Sequence, residues 1–257
     1  MVEINRQEPG RFCWPELATT DQEAAKRFYC EIFGWTAEDA PAGPGMTYTM
    51  LKLRGKDVGA LHSRGGREAE VPPHWNVYVS VASADEAAAK VRMLGGTVLG
   101  QPFDVMEAGR MALLQDPTGA AFCVWQGRNH IGARIVDEPG SMCWCEVATN
   151  DPRKAAAFYS GLFGWALKRS GDGYTELVRA GVSIGGIMEM GADWGDLPPH
   201  WLTYFAVEDC DATAERAHEL GAQDRVPPKD IPNVGGFAVL IDPQGAPFAI
   251  VQLMTAA

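Results

Sequence analysis

The sequence predicts an α+β fold that is built from four strand–helix–three-strand (βαβββ) modules. The first observation behind this prediction is an internal repeat: residues 14–35 recur at 144–165, with 11 of 22 aligned positions identical. The two copies of this segment are offset by 144 − 14 = 130 residues. Two later motifs also recur, with an offset of 198 − 72 = 126 residues: Pro-Pro-His-Trp at 72–75 and Asp-Pro-x-Gly at 116–119. A repeat of this length indicates one structural unit that is present twice.

Each copy divides again into two related halves, which is the second observation behind the fold class. Strand patterns, helix-start signals and glycine stops follow one another in the same order in every half. The predicted organisation is a first domain at 10–127 (repeat one), a linker at 128–138, and a second domain at 139–254 (repeat two). The linker contains charged and turn-prone residues without strong periodicity.

The first half of each repeat is predicted to begin with a strand, at 12–19 or 142–149, and to continue with a helix. Asp151 followed by Pro152 is typical of an N-cap and the first helical position. A glycine ends each helix, and its apolar stripe in repeat one is formed by Ala25, Phe28, Tyr29 and Ile32. Three strands follow in repeat one, near Trp35, at 46–53 and at 58–63.

The second half repeats this order from a strand at 75–81. Its helix is predicted to begin at Ser83, because Glu86 three residues later completes a capping box, and to end at Gly95. Three strands follow, near 97–100, 109–115 and 121–126. The corresponding elements of repeat two are a strand at 201–207, a helix at 209–220, and strands near 236–241 and 247–252.

Composition excludes several function classes. The net charge of −11 and the pI of about 4.9 argue against nucleic acid or an anionic membrane surface as partner. The six cysteines contain no CxxC pair, which favours free thiols. No apolar stretch reaches the ~20 residues of a membrane-spanning helix, and the polar N-terminal residues lack a signal-peptide pattern. A cytoplasmic location is therefore expected.

The four modules, the Phe-Tyr-x-x-(Ile/Leu)-Phe-Gly-Trp helix end and the Asp-Pro-x-Gly hairpin resemble the vicinal oxygen chelate superfamily. This group includes glyoxalases, bleomycin-resistance proteins and extradiol dioxygenases, and the chain is similar to its tandem two-domain bacterial glyoxalase-like members. The resemblance implies that modules pair into two half-open barrels, each with a ligand site inside. Since one chain supplies all four modules, a monomer is sufficient, and a homodimer is an alternative.

The resemblance also implies where metal ligands would stand, and the chain departs from that pattern in both repeats. The position seven residues before the helix-capping Asp holds a tryptophan twice, and the other two positions hold weak or apolar groups. Borderline metals prefer imidazole, thiolate or carboxylate in sets of three or four. The sequence therefore predicts no metal and no cofactor. The residues at these positions are Trp14, Asn76 and Cys123 in repeat one and Trp144, Leu202 and Ala249 in repeat two.

Two carboxylates are the candidate catalytic groups. Glu16 and Glu146 stand two residues beyond Trp14 and Trp144, so strand alternation directs each pair to one face. A carboxylate directed into a barrel can serve as a general base, or it can simply meet water or an arginine at the mouth. The inward strands supply the candidates for ligand contacts, each of which could equally be packing: Trp14, Asn76, Tyr78, Trp125, Trp144, Tyr204 and His62, whose counterpart in repeat two is Met188.

Three functions follow, and the residues leave them open. The first is a metal-independent protein that binds an aromatic or apolar secondary metabolite as its small-molecule ligand. The second is a metal-independent isomerase, lyase or hydrolase with Glu16 or Glu146 as base and a tyrosine as oxyanion donor. The third is an atypical metal-dependent glyoxalase-like lyase or dioxygenase that uses Glu16 and His62. His74 and His200, which follow Pro-Pro in loops, are expected at a rim.

Overall fold

The computed structural model describes residues 3–43, 45–66, 70–171, 173–231 and 235–253. Within these residues, repeat one shows eight strands and two α-helices, in the predicted order. Its first module consists of β1 (Phe12–Thr19), α1 (Gln22–Phe33), β2 (Thr36–Gly43), β3 (Met46–Leu53) and β4 (Lys56–Ser63). Its second module consists of β5 (His74–Ser80), α2 (Ala84–Met93), β6 (Thr97–Val105), β7 (Gly109–Gln115) and β8 (Ala121–Gly127).

Repeat two contains the same order of elements. Its first module consists of β9 (Met142–Thr149), α3 (Pro152–Phe163), β10 (Ala166–Arg169), β11 (Tyr174–Arg179) and β12 (Val182–Glu189). Its second module consists of β13 (His200–Ala206), α4 (Cys210–Glu219), β14 (Gln223–Ile231), β15 (Gly235–Ile241) and β16 (Pro247–Leu253). The strand predicted near 97–100 is longer than expected, because β-bulges let β6 stay paired with β7 through Val105.

Each repeat forms one eight-stranded, curled sheet. The order is β2-β3-β4-β1-β5-β8-β7-β6 in repeat one and β10-β11-β12-β9-β13-β16-β15-β14 in repeat two. The first strands of the two modules, β1 and β5, pair antiparallel at the centre, and each also pairs in parallel with the last strand of its own module. This arrangement confirms the α+β class and the pairing of four βαβββ modules into two half-open barrels.

The helices begin and end where their sequence signals place them. The Asp21 side chain accepts a hydrogen bond from the Ala24 amide at 2.9 Å, and Gly34 ends α1 in the left-handed conformation. Asp151 and Gly164 have the same roles for α3. None of the helices in the described residues is long and apolar enough to cross a bilayer.

The main core lies between the two sheets and is shared by both repeats. Phe28 and Phe33 of α1 contact Phe248 and Phe205 of repeat two, with ring centroids 6.0 and 5.0 Å apart. The opposite faces of the sheets carry two separate, smaller clusters. We call these the concave faces. Because the helices and the shared core cover the inner sides, the concave faces lie on the outer sides of the molecule.

A reciprocal pair of buried hydrogen bonds joins the repeats. The Tyr29 hydroxyl donates to Asp242 Oδ2 at 2.9 Å, and the Tyr159 hydroxyl donates to Asp116 Oδ2 at 2.9 Å. Each aspartate begins the Asp-Pro-x-Gly turn, where its other oxygen accepts backbone amides of the turn. Burial raises the pKa of Asp242, while the hydrogen bonds it accepts act in the opposite direction. The tyrosine of the helix motif in one repeat thus binds the aspartate of the turn motif in the other repeat.

Removing the hydroxyl of Tyr29 is expected to destabilise the fold. Tyr29→Phe eliminates the donor to Asp242 and the acceptor for the Trp75 indole, which lies 3.1 Å away. A buried polar group left without its partner costs about 1–3 kcal/mol. Urea denaturation should therefore show a loss of that size. Tyr159→Phe is the matched variant and should cost a similar amount; losses below about 0.5 kcal/mol in both would contradict this role.

Candidate functional site

The concave face of repeat one carries a hydrogen-bonded network centred on Glu16. The Tyr48 hydroxyl donates to Glu16 Oε2 at 2.6 Å, and the Tyr78 hydroxyl donates to Oε1 at 2.8 Å. The Trp14 indole N–H donates to the Tyr48 hydroxyl at 3.0 Å. The candidate carboxylate is therefore paired with two phenols, and not with an arginine at the barrel mouth.

Repeat two contains the same network around Glu146. The Trp144 indole N–H donates to the Tyr174 hydroxyl at 3.0 Å, and the Tyr204 hydroxyl donates to Glu146 Oε1 at 3.1 Å. The Tyr174 hydroxyl lies near Glu146 and acts to lower the pKa of its carboxyl group. We call each set of one tryptophan, two tyrosines and one glutamate a Glu–Tyr network.

The sheet topology explains how the network assembles. On the central pair of strands, Trp14 lies opposite Tyr78 and Glu16 lies opposite Asn76. The third aromatic, Tyr48, comes from β3, which is separated from β1 by β4. Sequence reasoning missed Tyr48 and its counterpart Tyr174. The available signal was an identical Tyr-Thr pair at the 126-residue offset, at 48–49 and 174–175.

The predicted histidines lie beside the network and not within it. His62 Nδ1 is 3.9 Å from Glu16 Oε1, and its ring stacks on Tyr48 with centroids 6.2 Å apart. His74 lies at the start of β5, where Nε2 is 3.2 Å from the Asn76 amide oxygen and Nδ1 contacts the Pro72 carbonyl. His200 makes the same contact with the carbonyl of Pro198, consistent with a position at the rim.

The interior of repeat one is filled by its own side chains. Trp14 and Trp125 are only 4% and 7% exposed. The His130 ring, which belongs to the linker, packs edge-on against Trp14 at 4.6 Å, and the Trp125 indole N–H donates to the His130 carbonyl at 2.8 Å. Burial lowers the pKa of His130, while Asp57 raises it. Trp14 and Trp125 both lie in this interior, and the ring of His130 from the linker packs against each of them.

Repeat two is more open at the equivalent place. Trp144 and Tyr204 are partly exposed, whereas Trp14 and Tyr78 are buried. Val251 stands where repeat one has Trp125. A cavity of about 60 Å³ reaches Trp144, and its lining includes Gln7, Arg11, Asp137, Cys143, Trp144 and Ser183. Trp144 is the member of the second Glu–Tyr network that lines this cavity, together with polar and apolar side chains.

The electrostatics of repeat two favour a proton on its carboxyl group. Burial raises the pKa of Glu146, and the hydrogen bonds from Tyr174 and Tyr204 only partly oppose this effect. Burial likewise raises the pKa of both phenols, as does the nearby Glu146 charge. The two phenols therefore remain protonated donors, and the carboxyl group of Glu146 holds its proton to a higher pH than an exposed glutamate does.

The positions that hold metals in relatives do not fit a metal here. In repeat one these positions hold Trp14, Asn76 and Cys123, and an indole is not a metal ligand. Trp14 and Cys123 lie on either side of Tyr78 in the sheet, whereas Asn76 lies opposite Glu16. Cys123 is buried in a mainly apolar cluster with Trp14, Tyr78 and Trp125. Among the described residues, no group of three or more His, Cys, Asp or Glu side chains could hold an ion.

Comparison with known families agrees with this architecture. Residues 11–124 and 131–250 each match the family model described as the Glyoxalase/Bleomycin resistance protein/Dioxygenase superfamily. The chain belongs to this superfamily, and both repeats carry its fold.

Two curated relatives extend over nearly the whole chain. One is a protein of Mycobacterium tuberculosis named "Putative glyoxylase CFP32", which is 43% identical over 245 residues covering 93% of each chain. The other is the "Anthracycline biosynthesis protein DnrV" of Streptomyces peucetius, which is 36% identical over 265 residues covering 97% of this chain and 96% of the relative.

Solved structures share the fold at much lower identity. A Mn(II)-bound glyoxalase from Novosphingobium aromaticivorans has a TM-score of 0.65 at 16% identity, covering 97% of this chain and 86% of its own. The 2,3-dioxygenase LapB from Pseudomonas sp. KL28 has a TM-score of 0.64 at 13% identity, covering 98% and 93%. These similarities concern the architecture alone.

Replacing Glu146 with glutamine is expected to alter how stability depends on pH. Because burial raises the pKa of Glu146 above its ordinary value of 4.5, the folded protein keeps this proton to a higher pH than the unfolded chain does. The stability of the wild type relative to Glu146→Gln should therefore fall as pH rises from below 4.5 through the raised pKa. Urea denaturation across this pH range measures the difference.

Glu176→Gln is the matched control on the same sheet. Hydrogen bonds from Ser170 and Ser183 lower the pKa of Glu176, so its stabilising contribution should be present at neutral pH and lost as the pH falls. The two variants should thus show opposite pH dependences. A Glu146→Gln difference that stays constant with pH would contradict the raised pKa.

Proposed function

We propose that the protein binds a planar, largely aromatic small molecule on the concave face of repeat two, without a metal ion taking part. The observation that carries this proposal is the partly exposed Trp144 beside the Glu146 network and the adjoining cavity. An aromatic wall next to a few convergent polar groups is typical of small-molecule sites. The named role of the Streptomyces relative in anthracycline biosynthesis supports an aromatic metabolite as the ligand class.

Each part of the network has a definite task in this proposal. The Trp144 ring offers an apolar face and edge to a planar ligand. Glu146 accepts or donates a hydrogen bond to a ligand oxygen, depending on its protonation, and the two tyrosines hold its position. The net charge of −11 argues against nucleic acid as partner, and we propose a monomer or a homodimer in solution.

A second candidate function is proton-transfer catalysis at the same place. The raised pKa of Glu146 favours it, because a general base works best with a pKa close to the working pH. Glu146 would remove a proton from a carbon beside a ligand carbonyl, and the electron pair of that bond would move to the carbonyl oxygen. Tyr204 would donate a hydrogen bond to the resulting enolate. We do not propose a metal-dependent reaction, since the available donors do not fit one.

Changes in repeat two are expected to weaken ligand binding, whereas matched changes in repeat one are not. A hydroxylated anthraquinone at 100 times its Kd should stabilise the wild type by about 2.7 kcal/mol in a thermal-shift assay. Glu146→Gln should raise the Kd about tenfold, equivalent to about 1.4 kcal/mol. Glu16→Gln is the control, and its Kd should stay near that of the wild type. Equal losses in both variants would contradict the assignment to repeat two.

Metal removal is expected to leave binding unchanged. The wild type after dialysis against EDTA should keep its Kd for the same anthraquinone, because no metal-ligand set is present among the described residues. Addition of Mn²⁺ or Zn²⁺ in equimolar amount should not shift the melting temperature. A Kd that is lost with EDTA and restored by one of these ions would refute the metal-independent proposal.

A further inference from the structure

The two concave faces carry the same Glu–Tyr network, but different residues surround it in each repeat. Every member of the Glu–Tyr network has a counterpart of the same residue type in the other repeat, at an offset of 126 or 130 residues. The surrounding contacts differ, because the linker that follows β8 crosses the concave face of repeat one. Repeat one therefore shows which chemical groups can pack against a Glu–Tyr network.

In repeat one, two aromatic side chains of the protein itself occupy the position beside the Glu–Tyr network. We call Trp125 and His130 the plug. His130 packs edge-on against Trp14, with an interplanar angle of 85°, and lies 6.1 Å from the Trp125 ring. The Trp125 indole N–H and the His130 carbonyl join the two members directly.

The backbone that carries the plug is bonded to the strands beneath it. The Ala133 amide donates to the Cys13 carbonyl and the Arg134 amide donates to the Asp57 carbonyl, both at 2.7 Å. Gly132 lies so close to the Cys13 carbonyl that any side chain there would collide with it. The linker thus hydrogen-bonds through its backbone near the starts of β1 and β4, in the way that a bound peptide would.

Repeat two has a cavity at the corresponding position. Its lining includes Cys143, Trp144 and Ser183. These residues are the counterparts of Cys13, Trp14 and Asp57, which are three of the residues that the linker contacts in repeat one. Among the residues that the structure describes, no ring packs on Trp144 as His130 packs on Trp14. Val251 replaces the other member of the plug and is too small to reach across the face.

We propose that repeat one is a second, latent ligand site whose occupant is the plug, and that the plug imitates the ligand of repeat two. This inference rests on the proposed function. The imitation defines the ligand more closely: an aromatic ring set edge-on to Trp144, with an adjacent N–H or O–H donor directed at the carbonyl of Cys143 or Ser183. A planar aromatic compound with phenolic hydroxyl groups has this combination.

Exchanging the plug residue between the repeats tests this proposal. The probe is 1,4-dihydroxyanthraquinone, and isothermal titration calorimetry measures the number of sites per chain. The wild type should bind one molecule. Trp125→Val, which installs the residue of repeat two, should bind two, and Val251→Trp should bind none. The double variant should again bind one molecule, now in repeat one, and Glu16→Gln added to it should weaken that binding about tenfold.

A milder variant covers the case in which Trp125→Val does not fold. His130→Ala leaves every strand residue unchanged and removes one ring of the plug, so it should expose a second, weaker site. Anthraquinone without hydroxyl groups should bind the wild type at least about tenfold more weakly than the dihydroxy probe. One site per chain in every folded plug variant would overturn the latent site while leaving the proposed function intact. No binding by the wild type would overturn both.

Discussion

The phenol–carboxylate contact between the repeats is the constraint on which the architecture depends. An aspartate buried in the Asp-Pro-x-Gly turn of one repeat receives its last hydrogen bond from a tyrosine on a helix of the other, and the relation is reciprocal. A buried carboxylate without that donor would be costly. Each repeat therefore supplies a hydrogen-bond donor that the other requires, and the two sheets face each other through their helices. The concave faces are left on the outer sides, where they can change independently.

Because the two concave faces lie on separate outer sides of the molecule, the same Glu–Tyr network can be buried in one repeat and partly exposed in the other. In repeat one, Trp125 and the linker bury the network, which adds apolar contacts to the fold. In repeat two, smaller residues leave Trp144 and Tyr204 partly exposed. The same Glu–Tyr network is thus covered by the chain itself in repeat one and partly exposed in repeat two.

Replacement of the metal-site residues changes which chemistry the fold can support. Tryptophans stand at the first ligand positions, and their indole N–H groups donate to tyrosines that in turn hold a glutamate. The polar centre has moved two residues along β1 and β9, from a set of metal donors to a single carboxylate between phenols. Such a centre offers hydrogen bonds and one exchangeable proton. In the function that we propose, it recognises a ligand by ring packing and by the placement of hydrogen-bond donors, whereas a metal site would polarise the ligand's oxygens.

The sequence by itself determined the parts of this protein that depend on local pattern. Repeats, strand alternation, helix caps and glycine stops predicted the four modules, the half-open barrels by resemblance, and Glu16 on the same face as Trp14. Only the tertiary structure decided the contacts between distant segments. Tyr48 reaches Glu16 from a strand two places away, and the linker, which lacks any periodic pattern, lies across one concave face. Such contacts follow from how sheets curl and pack, which no local spacing records.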